Sequence, residues 1–134
     1  MNTTLSFLGR AGLSLLFIIS GWGKLNGYAA TQHYMQSLGI PAGLLPFVIL
    51  LELGGGLAVA AGLFTRWVAL ALAAFSVATA VIAHTDFNDA AQAINFWKNL
   101  GIAGGFLLLV AHGAGAFSLD ALLHRRDAAH QKRS

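Results

Sequence analysis

Four long stretches of this chain carry almost no charge. Residues 67–83, WVALALAAFSVATAVIA, have no ionisable side chain between Arg66 and His84. Residues 44–64 hold only Glu52, and the stretch between Lys98 and Asp120 is interrupted only by His112. Each is about as long as a helix needs to cross a hydrocarbon core of about 30 Å at 1.5 Å per residue. None alternates apolar and polar residues as a membrane β-strand does. The first stretch is less simple. Thirteen residues separate Arg10 from Lys24, about 20 Å of helix and too short to cross. Its apolar character runs over residues 5–25, so Arg10, Lys24 or both lie inside the apolar zone or snorkel out of it. Residues 20–26, SGWGKLN, offer no small-x-small cleavage site. The segment is therefore expected to be a retained span and not a cleaved leader. The pattern predicts an all-α membrane protein: an antiparallel four-helix transmembrane bundle with spans at about 5–25, 44–64, 67–84 and 97–117.

The connections differ in kind. Phe64–Thr65–Arg66 is short enough to make the second and third helices antiparallel neighbours. The first loop, 26–43, is longer. Within it residues 29–38 read as a short helix, best taken as a lid over the bundle, stopped by Gly39 and kept from resuming by Pro41. Residues 84–96 read as a polar loop. Ser118 is a good N-cap with Asp120 in the first turn behind it. This predicts a surface helix at 118–123, with Leu119, Leu122 and Leu123 on the membrane, and no regular structure over 128–134. The chain divides into one membrane domain, 1–124, and a basic tail, 125–134.

Composition supports the same class. Hydrophobic residues make up 57% and charged residues 10%, against about 45–50% and about 25% in soluble domains. Eight basic and five acidic side chains cannot cover the surface of a soluble domain of this size. The formal charge is +3, but no Lys/Arg patch alternates with aromatics, so nucleic acid is not an expected partner. The basic residues are topology signals instead. Arg10, Arg66, Arg125, Arg126, Lys132 and Arg133 fall on the side of the termini, and Lys24 and Lys98 on the other. Six against two predicts cytoplasmic termini. There is no Cys, so the chain has no disulfide, thiol nucleophile or thiolate metal site.

Glu52 is the sharpest chemical signal. A carboxylate inside a span costs about 2.5–3.5 kcal/mol on insertion scales unless it is protonated, paired or facing a wet cavity. Gly54, Gly55 and Gly56 follow it and allow close backbone approach. Arg10, Phe17, Gly21 and Lys24 share one face of the first helix. Arg10 and Lys24 are thus the candidate partners of Glu52, and Arg10 is the expected contact. Lys98, Gly101, Gly105 and His112 form a similar stripe on the last span, with Gly101 and Gly105 a GxxxG packing pair. These small-residue faces leave self-association open. Trp22, Trp67 and Trp97 sit near span ends, as in aromatic belts. His84 with Asp86 and Asp89 matches no specific cation motif, His84 and His112 fall near opposite surfaces, and no metal site is expected. No phosphate loop, nucleophile elbow or dinucleotide fingerprint occurs.

The segments RAGLSLLFIISGWGKL at 10–25, ELGGGLAVAAGLFTRW at 52–67, KNLGIAGGFLLL at 98–109 and GAGAFSLDALL at 113–123 together resemble the DoxX family. They lie in order and span nearly the whole chain. Where the family motif commonly reads Gly-Pro-Gly, this chain has Gly113–Ala114–Gly115. The resemblance implies a small bacterial inner-membrane protein of four helices. The family name is linked to the DoxD membrane subunit of thiosulfate:quinone oxidoreductase, and other relatives to responses to oxidative and thiol stress. Thiosulfate oxidation is not carried over, because no Cys is present to form a persulfide. Two functions follow as expectations. The first is a redox-linked subunit beside a membrane partner, binding a quinone or similar molecule non-covalently, with Arg10, Lys24 and Glu52 at the polar head. The second is a non-catalytic scaffold or small-molecule carrier, favoured by a fully packed interior and an Arg10–Glu52 pair.

Overall fold

A computed structural model of the chain describes residues 2–134 and is helical almost throughout. Four helices are long and apolar enough to cross a membrane: α1 (Thr3–Asn26), α3 (Ala42–Ala61), α4 (Thr65–Ala83) and α5 (Ala90–His112). Two shorter ones, α2 (Tyr28–Ser37) and α6 (Leu119–Gln131), lie in the first connection and after the last span. Leu5, Ile19, Leu50, Val81 and Leu108 each leave half or more of their surface exposed on the outside of the bundle. Only lipid makes such a surface favourable.

The bundle is built from two tight pairs. α1 packs on α3, and α4 makes its most extensive contact with α5. Glycines set the first pair. A Cβ on Gly21 would stand 2.8 Å from the Leu53 nitrogen, and one on Gly56 would stand 2.9 Å from Ile18 Cγ1 and 3.1 Å from the Ser14 carbonyl. Neither position tolerates a side chain without moving backbone apart. Phe17 of α1 joins the pairs, its ring centroid 5.4 Å from that of Phe106 on α5 and 6.3 Å from that of Phe75 on α4. Val59, Ala69, Leu72 and Ala103 complete the core.

The packing roles expected of the other glycines divide. Gly105 faces the Leu13 side chain, with 3.2 Å left for a Cβ, but a Cβ on Gly101 would meet nothing within 4 Å. The GxxxG pair at 101–105 is therefore not one packing face within this chain, because only Gly105 turns toward α1. Gly54 and Gly55 leave ordinary contact distances; the turn that ends at Gly54 has another importance. α3 opens with a 3₁₀ turn, continues as α-helix over Leu45–Ile49, passes through a π turn at Leu50–Gly54 and resumes at Gly55. The wider turn advances the helix face and turns Glu52 inward. The weak helix preference of the glycines that follow makes it less costly.

Several boundaries differ from expectation. The last span covers 90–112 and not 97–117. Asp89 caps its start, accepting from Ala91 N at 2.9 Å, which draws residues 90–96, only two of them polar, into the helix. Its end is set by Gly113, at φ 76°. Gly115 also takes a positive φ, so the sharp turn forms with Ala114 between the glycines. The tail is helical to Gln131 instead of lacking structure from 128. Ser118 caps it as expected, accepting from Ala121 N at 3.1 Å, and the Ala, Leu and Arg residues behind the cap are strong helix formers. α2 starts at Tyr28 and ends at Ser37, close to the expected 29–38.

An even number of spans puts both termini at one end of the bundle. Fusions of a cytoplasm-only reporter are expected to be active at Ser134 and inactive in the 84–89 loop, because six of the eight basic residues lie on the terminal side and such an excess favours the cytoplasmic face. An active loop fusion with a silent C-terminal one would overturn that orientation.

Candidate functional site

The two intramembrane cations of α1 serve opposite ends of the molecule. Lys24 pairs with Glu52: its Nζ stands 2.9 Å from Oε1 and donates to Oε2 at 3.1 Å and to Ser20 Oγ at 2.8 Å. Glu52 is 2% exposed and the Lys24 side chain 27%. The carboxylate is thus fully withdrawn from the surroundings, and the ammonium bridges it to more open space. Arg10 is not the partner of Glu52, contrary to expectation. It lies 14 residues from Lys24 on α1, about 21 Å along the axis. The contacts of Gly21 with Leu53 and of Gly56 with Ser14 and Ile18 fix the antiparallel register. That register brings Lys24 level with Glu52 and Arg10 level with the α3–α4 turn.

Arg10 holds the C-terminal segment instead. The guanidinium donates to the carbonyls of Ala114 at 2.6 Å, Phe117 at 2.5 Å and Ala60 at 3.4 Å, with the Phe7 ring 5.6 Å away. Asp120 reinforces the same junction from α6. It accepts from Phe64 N at 2.7 Å and Thr65 N at 2.9 Å, capping α4, while its own N–H donates to the Gly62 carbonyl at 2.9 Å. Phe64, at φ 48°, holds a backbone conformation that a bulky residue seldom adopts without such support. This clasp ties the C-terminal segment to α1 and to the α3–α4 turn, although Arg10 Nε and Thr65 Oγ1 are buried within it without a hydrogen-bond partner among the described residues.

The Lys24–Glu52 pair faces a cavity of about 530 Å³ among α1, α2, α3, α4 and α5, at the end of the bundle away from the termini. Phe17, Val48, Phe75 and Ile102 give it apolar walls, and Tyr34 and Met35 of α2 help close it. Met35 is itself buried against Leu45 and Ile49, which seats α2 as the expected lid. Lys98 lines the α5 side with Asn95 and Asn99. It is exposed and makes no salt bridge among the described residues. The site therefore combines two ammonium groups, one carboxylate, two amides and an apolar body. Of the residues singled out in sequence, Lys24, Glu52 and Lys98 meet here, whereas Arg10 does not. Ser20, Phe75, Asn95 and Asn99 were missed. A visible signal existed for the last two, since Asn95, Lys98 and Asn99 make a polar face on a helix that is otherwise apolar. His84 also lines the cavity, whereas His112 ends α5 at the opposite end. Asp86 and Asp89 are occupied in turns, accepting from Asn88 N and Ala91 N.

The sequence pattern of the DoxX family matches residues 5–85, which cover α1 to α4 and include both members of the buried pair. The chain belongs to the DoxX family. It is 49% identical to the inner membrane protein YqjF of Escherichia coli K12 over 119 residues, 89% of this chain and 92% of that protein. It is 40% identical to the inner membrane protein YphA of the same organism over 123 residues, 87% of this chain and 88% of that one. No solved structure matches the chain. With four spans and these relatives, this DoxX-family chain is a multi-pass protein of the inner membrane.

Proposed function

We propose that the protein is a redox-linked component of the membrane that binds a quinone or a similar amphipathic small molecule in the cavity beside Glu52. The supporting observation is the buried Lys24–Glu52 pair opening onto a space of about 530 Å³, within the range of about 300–1,000 Å³ usual for small-molecule sites. A pair needed only to join helices has no use for such a space, and the Arg10–Glu52 contact that a scaffold reading called for is not made.

The residues fit a quinone head. Lys24 Nζ and the exposed Lys98 ammonium are donors for carbonyl oxygens. Glu52 is an acceptor for a hydroxyl, and can hold a proton at its carboxylate oxygen. Phe17 and Phe75 present flat apolar surface to a ring. A bound quinone would supply the electron-carrying chemistry, for exchange with a membrane partner. The protein's own part is to orient the head, exclude lipid from it and keep a proton-accepting group beside it.

Titration of the detergent-purified protein with a short-tailed benzoquinol kept reduced, followed by tryptophan fluorescence, tests this reading. Saturable binding is expected, weakened about tenfold or more in Glu52→Gln, since a quinol hydroxyl donates to the charged carboxylate and a hydrogen bond to a charged group is worth about 1.5–3 kcal/mol. No saturable binding to the wild-type protein would overturn it.

A further inference from the structure

An open apolar groove of about 640 Å³ runs along the outside of the α4–α5 pair. Its floor is made by small residues, Ala73, Ala74 and Ala78 of α4 and Ala103 of α5, and apolar side chains line it throughout. From Leu70 to Ile82 it follows α4 for 12 residues, about 18 Å. Such a shape suits a chain better than a ring. The groove also adjoins the cavity: Ala78 and Ile82, one turn apart on the same face of α4, line both. The charged groups, Lys24, Glu52 and Lys98, lie on the cavity side, and the groove side is hydrocarbon throughout.

We infer that the groove holds the hydrophobic tail of the ligand whose head lies in the cavity, so that the ligand is a long-tailed membrane lipid such as an isoprenoid quinone. This rests on the reading of the cavity as a head-group site. On this inference the tail crosses from cavity to groove over Ala78, the smaller of the two residues that border both spaces. A ligand bound this way enters sideways from the bilayer and never crosses water.

The test compares two benzoquinones with the same ring, one with a decyl tail and one with a methyl group in its place. Both are titrated into the wild-type protein in nanodiscs, with concentrations counted per lipid so that partitioning cancels. Three variants accompany it. Ala74→Trp fills the groove at a position that does not line the cavity, Ala78→Leu narrows the junction, and Ala71→Trp adds bulk to an α4 position that lines neither. The decyl compound is expected to bind the wild type about tenfold more tightly than the methyl one, because once partitioning cancels the remaining gain is the closer packing of the tail against the groove than against fluid lipid. Ala74→Trp and Ala78→Leu should each lower that ratio about fivefold or more, whereas Ala71→Trp should leave it unchanged. The methyl compound should bind Ala74→Trp and the wild type alike. A ratio near one in the wild type, or a ratio that both groove variants leave intact, overturns the tail site while the head site stands. Failure of both compounds to bind the wild type would sink the head-group reading, and this inference with it.

Discussion

Arg10→Met should loosen the C-terminal third of the molecule more than any other single change. Arg10 is 2% exposed, and its guanidinium satisfies the Ala60, Ala114 and Phe117 carbonyls at once. A hydrogen bond to a charged group is worth about 1.5–3 kcal/mol, and its loss leaves buried acceptors without partners. Allowing for relaxation and non-additivity, the expected cost is about 3–5 kcal/mol, similar to that of breaking a buried ion pair. The melting temperature in detergent should fall by several degrees. Protease cleavage between α5 and α6, which the clasp suppresses, should become fast. Arg10→Lys should recover little of the loss, because a single ammonium cannot reproduce a planar fork spread over three carbonyls. An unchanged melting temperature and cleavage pattern in Arg10→Met would show that Asp120, through Phe64 and Thr65, holds the segment alone.

The second large effect is an asymmetry within the Lys24–Glu52 pair. Lys24→Met strands a carboxylate that is 2% exposed, and removing one partner of a buried pair costs about 3–5 kcal/mol. Glu52→Gln leaves an ammonium that is 27% exposed and still bonded to Ser20. That group can turn toward the cavity, so its loss should be about 1 kcal/mol, in the range of partly solvated pairs. Lys24→Met should therefore unfold well below Glu52→Gln, and the double variant should regain part of the difference because no charge is left unpaired. Binding should follow a different order, with ligand affinity lost in Glu52→Gln despite its near-normal stability. Equal melting temperatures for the two single variants would remove the argument from burial. Normal quinol affinity in Glu52→Gln would remove the carboxylate from the site.

The four spans, their antiparallel order and the cap at Ser118 were determined by the sequence alone, because the cost of placing polar groups in hydrocarbon is paid residue by residue and appears directly in hydropathy. For the same reason Arg10, Lys24, Glu52 and Lys98 stood out as candidates: each is an ion on or beside an apolar stretch. Which of them meet was decided only in three dimensions. The register between α1 and α3 depends on how closely Gly21 approaches Leu53 and Gly56 approaches Ser14, and a shift of one helical turn would move Lys24 about 5 Å relative to Glu52. The π turn that points Glu52 inward breaks the 3.6-residue period on which the sequence reading relied. The Arg10 clasp uses main-chain carbonyls, which every residue carries and no sequence marks. Asp120, read as a first-turn acid of its own helix, caps a helix that begins 55 residues earlier in the chain. The cavity and the groove beside it are spaces between helices, and their shape exists only once small residues on α4 and α5 face each other across a completed bundle.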